Sequence, residues 1–514
     1  MIVVTFFVYR LHEVVQYSLR AVSRDVACSS GLLAALEKHR AHIFSQGGVV
    51  HVNTIRRVPA PDVSRRRSGG VLFRHCSRAS PNPVVTAVPS SVPAGDPSHD
   101  YIFFATNHLA GTGYVEQEFF IEGTANRYLT PPLTTGSVID SGHPYKTRIV
   151  VRRPVDPAKY NGTVLVEWLN VTNGFDADNT WFFAWEHILR AGYAWVGVSA
   201  QNVGVSRLRN WSPARYGTLD VTQGGTVTGD ALSYDIFSQA GQAIANPQGV
   251  DPLAGLQPRL MIGMGESQSA SRLATYANSI QPLANFYEGL LLLSSLGNRI
   301  RTDLDVPVFK VLTEYDVTAL EATVRQPDTS LFVTWEVAGT SHVDKHLRAS
   351  REPLELRDLG VSSEALLAPQ CGVQSIGTNV PTQYVMASAL DHLVQWIEDA
   401  TPPPSAPRIE IAQFGNPSLA ARDSLGLALG GIRLAELEVP IEYNVGTNTG
   451  PGACVRWGYS LPFAQSLIDE LYRNHGRYVS QVSQVNDANV EAGYILQVDA
   501  DISTGIAAHS KIGK

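Results

Sequence analysis

Ser267 stands in Gly265-Glu266-Ser267-Gln268-Ser269, between the apolar run Leu260-Met261-Ile262-Gly263-Met264 and the stretch Ala270-Ser271-Arg272-Leu273-Ala274-Thr275-Tyr276-Ala277. The first flank reads as a buried strand and the second as a helix. A serine on a sharp strand-to-helix turn is held in strained dihedrals with its hydroxyl presented outward, the geometry of a nucleophile elbow. Such a turn has no room for bulky side chains two residues away. Gly265 meets that need, and Ser269 meets it less well than a glycine. A serine hydroxyl is a weak nucleophile near neutral pH, so a base must take its proton. The strand-like run Val306-Pro307-Val308-Phe309-Lys310-Val311-Leu312 leads into Thr313-Glu314-Tyr315-Asp316. A second, Leu331-Phe332-Val333-Thr334-Trp335-Glu336-Val337, leads into Ala338-Gly339-Thr340-Ser341-His342-Val343-Asp344.

Serine, acid and histidine therefore follow one another on the ends of three expected strands. His342 is the expected base. Asp316 is the expected acid, with Glu314 as the alternative, since either carboxylate has the chemistry to orient an imidazole and stabilise its protonated form. Asp344 lies too near His342 along the chain to orient it comfortably. Each residue alone has an ordinary reading: a turn serine, a polar loop histidine, a solvated or capping acid. The ordered set reverses that reading.

Acyl transfer also needs donors for the developing oxyanion. The backbone N–H of Gln268, directly after the serine, is the expected first donor. The second is expected from the loop after Thr163-Val164-Leu165-Val166-Glu167-Trp168-Leu169, at Asn170 or Val171. Strand termination is an equal reading for that loop. Glu266 either tunes the field at the serine or, the reading favoured here, faces solvent.

The elements that must position these groups are alternating strands and helices, an α/β pattern. The run Gly289-Leu290-Leu291-Leu292-Leu293-Ser294-Ser295 suits a central parallel strand buried on both faces. From about residue 83 to 505 the chain resembles the α/β-hydrolase-domain proteins with a Gly-x-Ser-Gln-Ser elbow, a family of largely uncharacterised function. The resemblance runs through Gly113-Tyr114-Val115-Glu116-Gln117-Glu118-Phe119-Phe120-Ile121-Glu122-Gly123-Thr124-Ala125, Val166-Glu167-Trp168-Leu169-Asn170-Val171 and Ser233-Tyr234-Asp235-Ile236-Phe237-Ser238-Gln239-Ala240-Gly241. After the elbow it continues through Arg325-Gln326-Pro327-Asp328-Thr329, Trp335-Glu336-Val337-Ala338-Gly339-Thr340-Ser341-His342 and Gly430-Gly431-Ile432-Arg433. Ala270 stands where that family often has glycine. The resemblance implies an α/β-hydrolase fold, a mostly parallel central sheet flanked by helices, and a serine hydrolase with Ser267 as nucleophile and His342 as base. It implies no substrate.

The expected organisation is a catalytic core over 83–404 and an accessory region over 405–514 packed on it as a cap. The segment Gln201 to Gly249 reads as a loop-rich insertion, whose Trp211 and Tyr216 either wall an acyl site or, the reading favoured here, pack beneath a surface loop. Residues 1–82 read as a basic, poorly ordered extension with a Pro-rich linker. Residues 1–80 hold 12 Lys and Arg against 4 acids, a net +8 that leaves −15 for the remainder of a chain whose total is −7. That bias resembles a targeting peptide, although Ile2 to Tyr9 makes a poor signal core. Strands are expected from Tyr101-Ile102-Phe103-Phe104 onward.

A hydrophobic content of 44% with 17% charged residues suits a globular enzyme with a large core. The net charge gives no case for nucleic-acid binding. No apolar run is long enough to span a membrane. Cys28, Cys76, Cys371 and Cys454 lack C-x-x-C spacing, which gives no support for a zinc site. The loop settings of Cys371 and Cys454 suggest a disulfide between them. The expected partner is a small-molecule ester, with no metal or cofactor required. The sequence leaves open the oligomeric state and whether the compartment is cytoplasmic or secreted. Two rival functions are a catalytically silent scaffold that only binds, and a nucleotide-binding module built on Gly263-Met264-Gly265-Glu266-Ser267-Gln268. The second lacks its third glycine, and Glu288 lies at the wrong strand end for a ribose partner.

Overall fold

The computed structural model describes residues 81–88 and 106–514. The basic segment before residue 81, most of the Pro-rich linker and the strand expected at Tyr101-Ile102-Phe103-Phe104 lie outside the described residues.

Among the described residues ten strands form one sheet: β1 (Val84–Ala87), β2 (Tyr114–Leu129), β3 (Ser137–Pro154), β4 (Thr163–Trp168), β5 (Ala194–Val198), β6 (Gln248–Gly249), β7 (Leu260–Glu266), β8 (Gly289–Leu293), β9 (Val308–Thr313) and β10 (Phe332–Val337). Their spatial order is β10-β9-β8-β7-β4-β5-β3-β2-β1-β6. From β10 to β5 every pairing is parallel. The long ribbon β2–β3 joins antiparallel through β3 to β5 and through β2 to β1. The parallel strands are runs of Val, Leu, Ile and Met with every residue buried, as a sheet covered on both faces requires. Lys310, at the centre of β9, is tolerated because its ammonium donates to Glu321 at 2.8 Å and to the Asn298 carbonyl at 2.7 Å.

Helices flank the sheet. They include α1 (Asn179–Ala191), α2 (Ser233–Ala245), α3 (Gln268–Thr275), α4 (Glu314–Ala319), α5 (Lys345–Leu359), α6 (Thr382–Asp399), α7 (His475–Glu491) and α8 (Gln497–His509). Helix α6 packs on α1, β8 and β9, burying Val385, Met386, Ala389, Leu390 and Leu393 on one side.

One expectation about connecting chain needs correction. The insertion after β5 is largely helical, with Asn202–Trp211, Pro213–Tyr216 and α2 filling most of it. Gly217, Gly224, Gly225 and Gly229 sit between those helices, whereas Asn202, Gly204, Asn210 and Gly241 lie within them, and Ser233 to Ile244 are all buried. Tyr216 is fully buried with its hydroxyl donating to Glu118, and Trp211 packs partly buried on the main core, so neither walls the cavity described below.

The C-terminal region is mostly irregular up to about residue 464 and helical beyond it. It carries two short antiparallel pairs, β11 (Ile411–Gln413) with β12 (Leu419–Ala420) and β13 (Glu442–Val445) with β14 (Tyr459–Pro462). Val439, Phe463, Ile468, Tyr472, Tyr478 and Val482 make a small core of their own, whereas Ile409, Ile432, Leu434 and Leu437 enter the main one. Cys371 and Cys454 are joined by a disulfide.

Candidate active site

Strands β7, β9 and β10 run parallel, so the loops that follow them leave the sheet on one edge. Ser267, Asp316 and His342 lie on those loops. Parallel topology thus brings together groups 49 and 75 residues from Ser267.

Ser267 is the residue between β7 and α3, with φ 56° and ψ −114°. A non-glycine residue held there stores about 1–3 kcal/mol of strain. The surroundings enforce it. The Ser267 amide donates to the Leu293 carbonyl at 3.0 Å, pinning the turn to β8. The Ser269 hydroxyl donates to the Glu266 carbonyl at 2.8 Å and accepts from the Glu266 amide at 3.0 Å. The serine that replaces the usual glycine therefore fastens the turn. At Gly265 the turn is as tight as its sequence suggests: an added Cβ would stand 3.0 Å from the Ser269 backbone.

The His342 Nε2 lies 2.8 Å from Ser267 Oγ, and its Nδ1 lies 2.7 Å from Asp316 Oδ1. With Nδ1–H donating to the carboxylate, Nε2 is left to accept the serine proton. Asp316 is the third residue of α4 and completes a capping box with Thr313. Its Oδ2 accepts from the Thr313 amide at 2.8 Å and the Thr313 hydroxyl at 2.7 Å, while Oδ1 faces the imidazole. One oxygen braces the loop and the other orients the ring. The signature Thr-x-x-Asp at a strand end is the local signal for this arrangement.

Glu314 does not reach the imidazole. Its carboxylate accepts from the Gly339 amide at 2.9 Å and from Arg422 at 2.5 Å, tying the β10 loop to the C-terminal region. Asp344 caps α5 through the Leu347 amide at 2.8 Å, and His392 donates to or accepts from nothing near the serine, meeting the Gly493 carbonyl at 2.9 Å. Glu288 accepts from the Met261 amide at 2.8 Å, at the strand end remote from Ser267, where a ribose partner has no use.

Glu266 corrects an expectation, since it is buried rather than solvated. Its Oε2 accepts from Asn179 at 2.8 Å and Asn170 at 3.1 Å, and its Oε1 lies 3.4 Å from His342 Nε2. Burial pushes the Glu266 carboxyl up, with His342 and Asn179 working against that. Burial also pulls the His342 imidazole down, but Asp316 and then Glu266 outweigh it, and the net shift is upward. Asn179 opens α1, beside Asp178, which pairs with Arg152 at 2.5 Å.

Of the expected oxyanion donors, the structure separates three positions. Gln268 opens α3, where backbone amides have no intrahelical acceptor. The Val171 amide meets only the Gln268 side-chain carbonyl, at a long 3.5 Å. The Asn170 amide is already spent: it donates to the Ala177 carbonyl at 2.9 Å in a two-way bridge. Its side chain instead accepts from Thr172 N–H at 2.8 Å and donates to the Glu266 carbonyl at 2.9 Å, shaping the loop that carries Val171.

A cavity of about 840 Å³ opens onto Ser267, Gln268 and His342. Tyr315, Leu296 and Leu320 line it from the sheet side, and Pro417, Arg422, Val455 and Arg456 from the C-terminal region. Asn179, Tyr315, Arg422 and Arg456 had no local signature that marked them as site residues. No group of side chains suited to a metal ion occurs among the described residues, and no helix among them is long and apolar enough to cross a membrane.

A family model described as an alpha/beta hydrolase domain matches residues 86–503. No curated protein matches the chain. Among solved structures, an α/β serine hydrolase without a lid from Xanthomonas campestris is 15% identical, with 46% of this chain and 94% of that one covered at a TM-score of 0.26. An α/β serine hydrolase homologue from Coxiella burnetii is 14% identical, with 42% and 92% covered at 0.26. The esterase Est22 is 13% identical, with 41% and 67% covered at 0.26.

Proposed function

The chain belongs to the alpha/beta hydrolase domain family, and on that premise we propose that it is a serine hydrolase that cleaves carboxylic esters through an acyl-enzyme. We place it with the members whose elbow reads Gly-x-Ser-Gln-Ser, and read 83–404 as the catalytic core and 405–514 as an accessory region bordering its mouth. The observation that carries the proposal is the pair of contacts at His342, 2.8 Å to Ser267 Oγ and 2.7 Å to Asp316 Oδ1.

In this mechanism Nε2 of His342 takes the Ser267 proton as Oγ attacks the ester carbonyl carbon. Asp316 holds the ring in the right tautomer and stabilises the imidazolium. The carbonyl oxygen, now negative, accepts from the Gln268 and Val171 amides, the second exchanging its long contact with the Gln268 side chain for the substrate. Such a donor contributes about 3 kcal/mol. Collapse breaks the C–O bond, and the leaving alkoxide takes the proton from Nε2. Water, deprotonated by the same nitrogen, then attacks the acyl-enzyme, and the carboxylic acid departs as Ser267 regains its proton. No metal or cofactor enters these steps. The Cys371–Cys454 disulfide fits an oxidising compartment.

The test is labelling with a fluorophosphonate probe, with Ser267→Ala alongside, followed by 4-nitrophenyl esters of graded acyl length. Labelling that disappears in Ser267→Ala, with ester turnover lost in parallel, supports the reading. A wild-type protein that neither takes the probe nor cleaves any ester is a binding scaffold instead.

A further inference from the structure

Of the residues lining the cavity at Ser267, two are cations, Arg422 and Arg456, and none is an acid. Their situations differ. Arg422 is neutralised by Glu314 at 2.5 Å. Arg456 is exposed, and no carboxylate among the described residues lies within ion-pairing distance of it. The chain as a whole is acidic, at −7, so an unpaired arginine facing a cavity is not part of a general basic surface. In a concave site with low-dielectric walls such a charge is focused on whatever enters.

The position of Arg456 is built. It lies in the short helix Cys454–Trp457, whose first residue is bonded to Cys371 and whose last is buried. Its carbonyl accepts from the Val343 amide at 3.3 Å, next to His342. Its guanidinium stands beside the Tyr315 hydroxyl. The Tyr315 ring in turn packs edge-on to the His342 imidazole, with centroids 5.5 Å apart. The cation therefore lies about one tyrosine ring from the reacting centre. The lining of the same cavity includes the apolar side chains of Leu296, Leu320 and Val455.

Resting on the serine-hydrolase reading of the same cavity, we propose that Arg456 selects esters that carry a free carboxylate at the end of a short apolar chain. The guanidinium offers the paired donors that a carboxylate accepts in parallel, and the apolar walls take the carbons between it and the ester. Arg456 acts here as a specificity residue, and its effect falls on binding of the anionic substrate.

Two matched substrate pairs test this on the full chain. Mono-4-nitrophenyl glutarate against 4-nitrophenyl valerate places the charge on the acyl side. 4-Carboxyphenyl butanoate against phenyl butanoate places it on the alcohol side. The expected result is at least a ~10-fold advantage in kcat/KM for the anionic member of one pair, carried by KM. Arg456→Ala abolishes that advantage, Arg456→Glu inverts it, and Arg456→Lys keeps part of it. Independently of turnover, calorimetry on Ser267→Ala compares monomethyl glutarate with methyl valerate and phenyl butanoate with its 4-carboxy form. Tighter binding of an anion that Arg456→Ala weakens about 10-fold supports the inference even if no ester is cleaved. No anionic preference in either pair, or one indifferent to Arg456→Ala, overturns it. Failure of the catalytic reading shows separately, as absent fluorophosphonate labelling at Ser267.

Discussion

The cavity has two unlike walls. One is the C-terminal edge of the parallel sheet, where Ser267, Asp316 and His342 sit within five residues of buried strands, β7 and β9 paired on both sides and β10 on one. The other is largely irregular chain from the C-terminal region, Asn416 to Arg422 and Thr447 to Arg456, held by the Arg422–Glu314 ion pair, the Cys371–Cys454 disulfide and scattered bonds such as Ser418 N–H to the Thr318 carbonyl at 2.7 Å. The sheet wall holds groups to the tolerance that proton transfer demands. The second wall lies on segments that vary at little cost to the core, the usual place for selectivity. The difference implies that damage to the first wall falls on kcat and damage to the second on KM.

Ser267→Ala breaks that comparison most severely, with an expected loss in kcat of at least about 10⁴-fold and no loss of fold, checked by ester turnover and circular dichroism. Asp316→Asn leaves the ring in the wrong tautomer and costs about 10³ to 10⁴-fold in kcat. Glu314→Gln is the control that sharpens it: this carboxylate touches the Arg422 strap and not the imidazole, so the loss appears in KM and stays within about tenfold. Replacing both Cys371 and Cys454 by serine frees the segment that carries Arg456. The expected outcome is a loss of about 2–4 kcal/mol in denaturant unfolding, with KM raised and kcat little changed. The smallest effect is one of pH. On the proposed mechanism the base works as neutral imidazole; against the pull of burial, Asp316 and Glu266 hold the His342 ring above the ordinary 6.5, so the acid limb of kcat/KM is expected at a pH above that value. Asp316 and Glu266 both favour the charged ring, and Glu266→Gln removes the second of them. The limb then moves to lower pH, read from pH–rate profiles of the two proteins, while an unmoved limb would show that Glu266 bears no charge felt by the ring.

Much of the fold was legible because its signals are local. Strand β8 announces itself as four consecutive leucines after Gly289, and helix α6 as the spacing of Leu390, Leu393, Val394 and Ile397. The turn at Ser267 shows in small residues at 265 and 269, since steric exclusion acts within five residues. The site was legible only in part. Nothing near Glu266 says that two asparagines, from the β4 loop and from α1, will bury it beside the imidazole. Nothing near Asn170 says that Ala177 will claim its amide. The insertion after β5 read as loop because turn-forming residues such as Gly224, Gly225 and Gly229 interrupt helices whose buried faces are defined by the sheet beneath them.

The amino-acid order by itself determined which backbone segments are extended or helical, and which residue types stand at their ends, because those outcomes depend on sterics and hydrophobic spacing within a few residues. Only the tertiary structure decided which carboxylate faces His342, which amides remain available beside Ser267, and that Arg456 borders the same cavity. Those are contacts between segments 26 to more than 180 residues apart, set by parallel pairing of the strands and by a cross-link late in the chain. A side chain's role there depends on which partner reaches it first, and that competition has no record in its immediate neighbours.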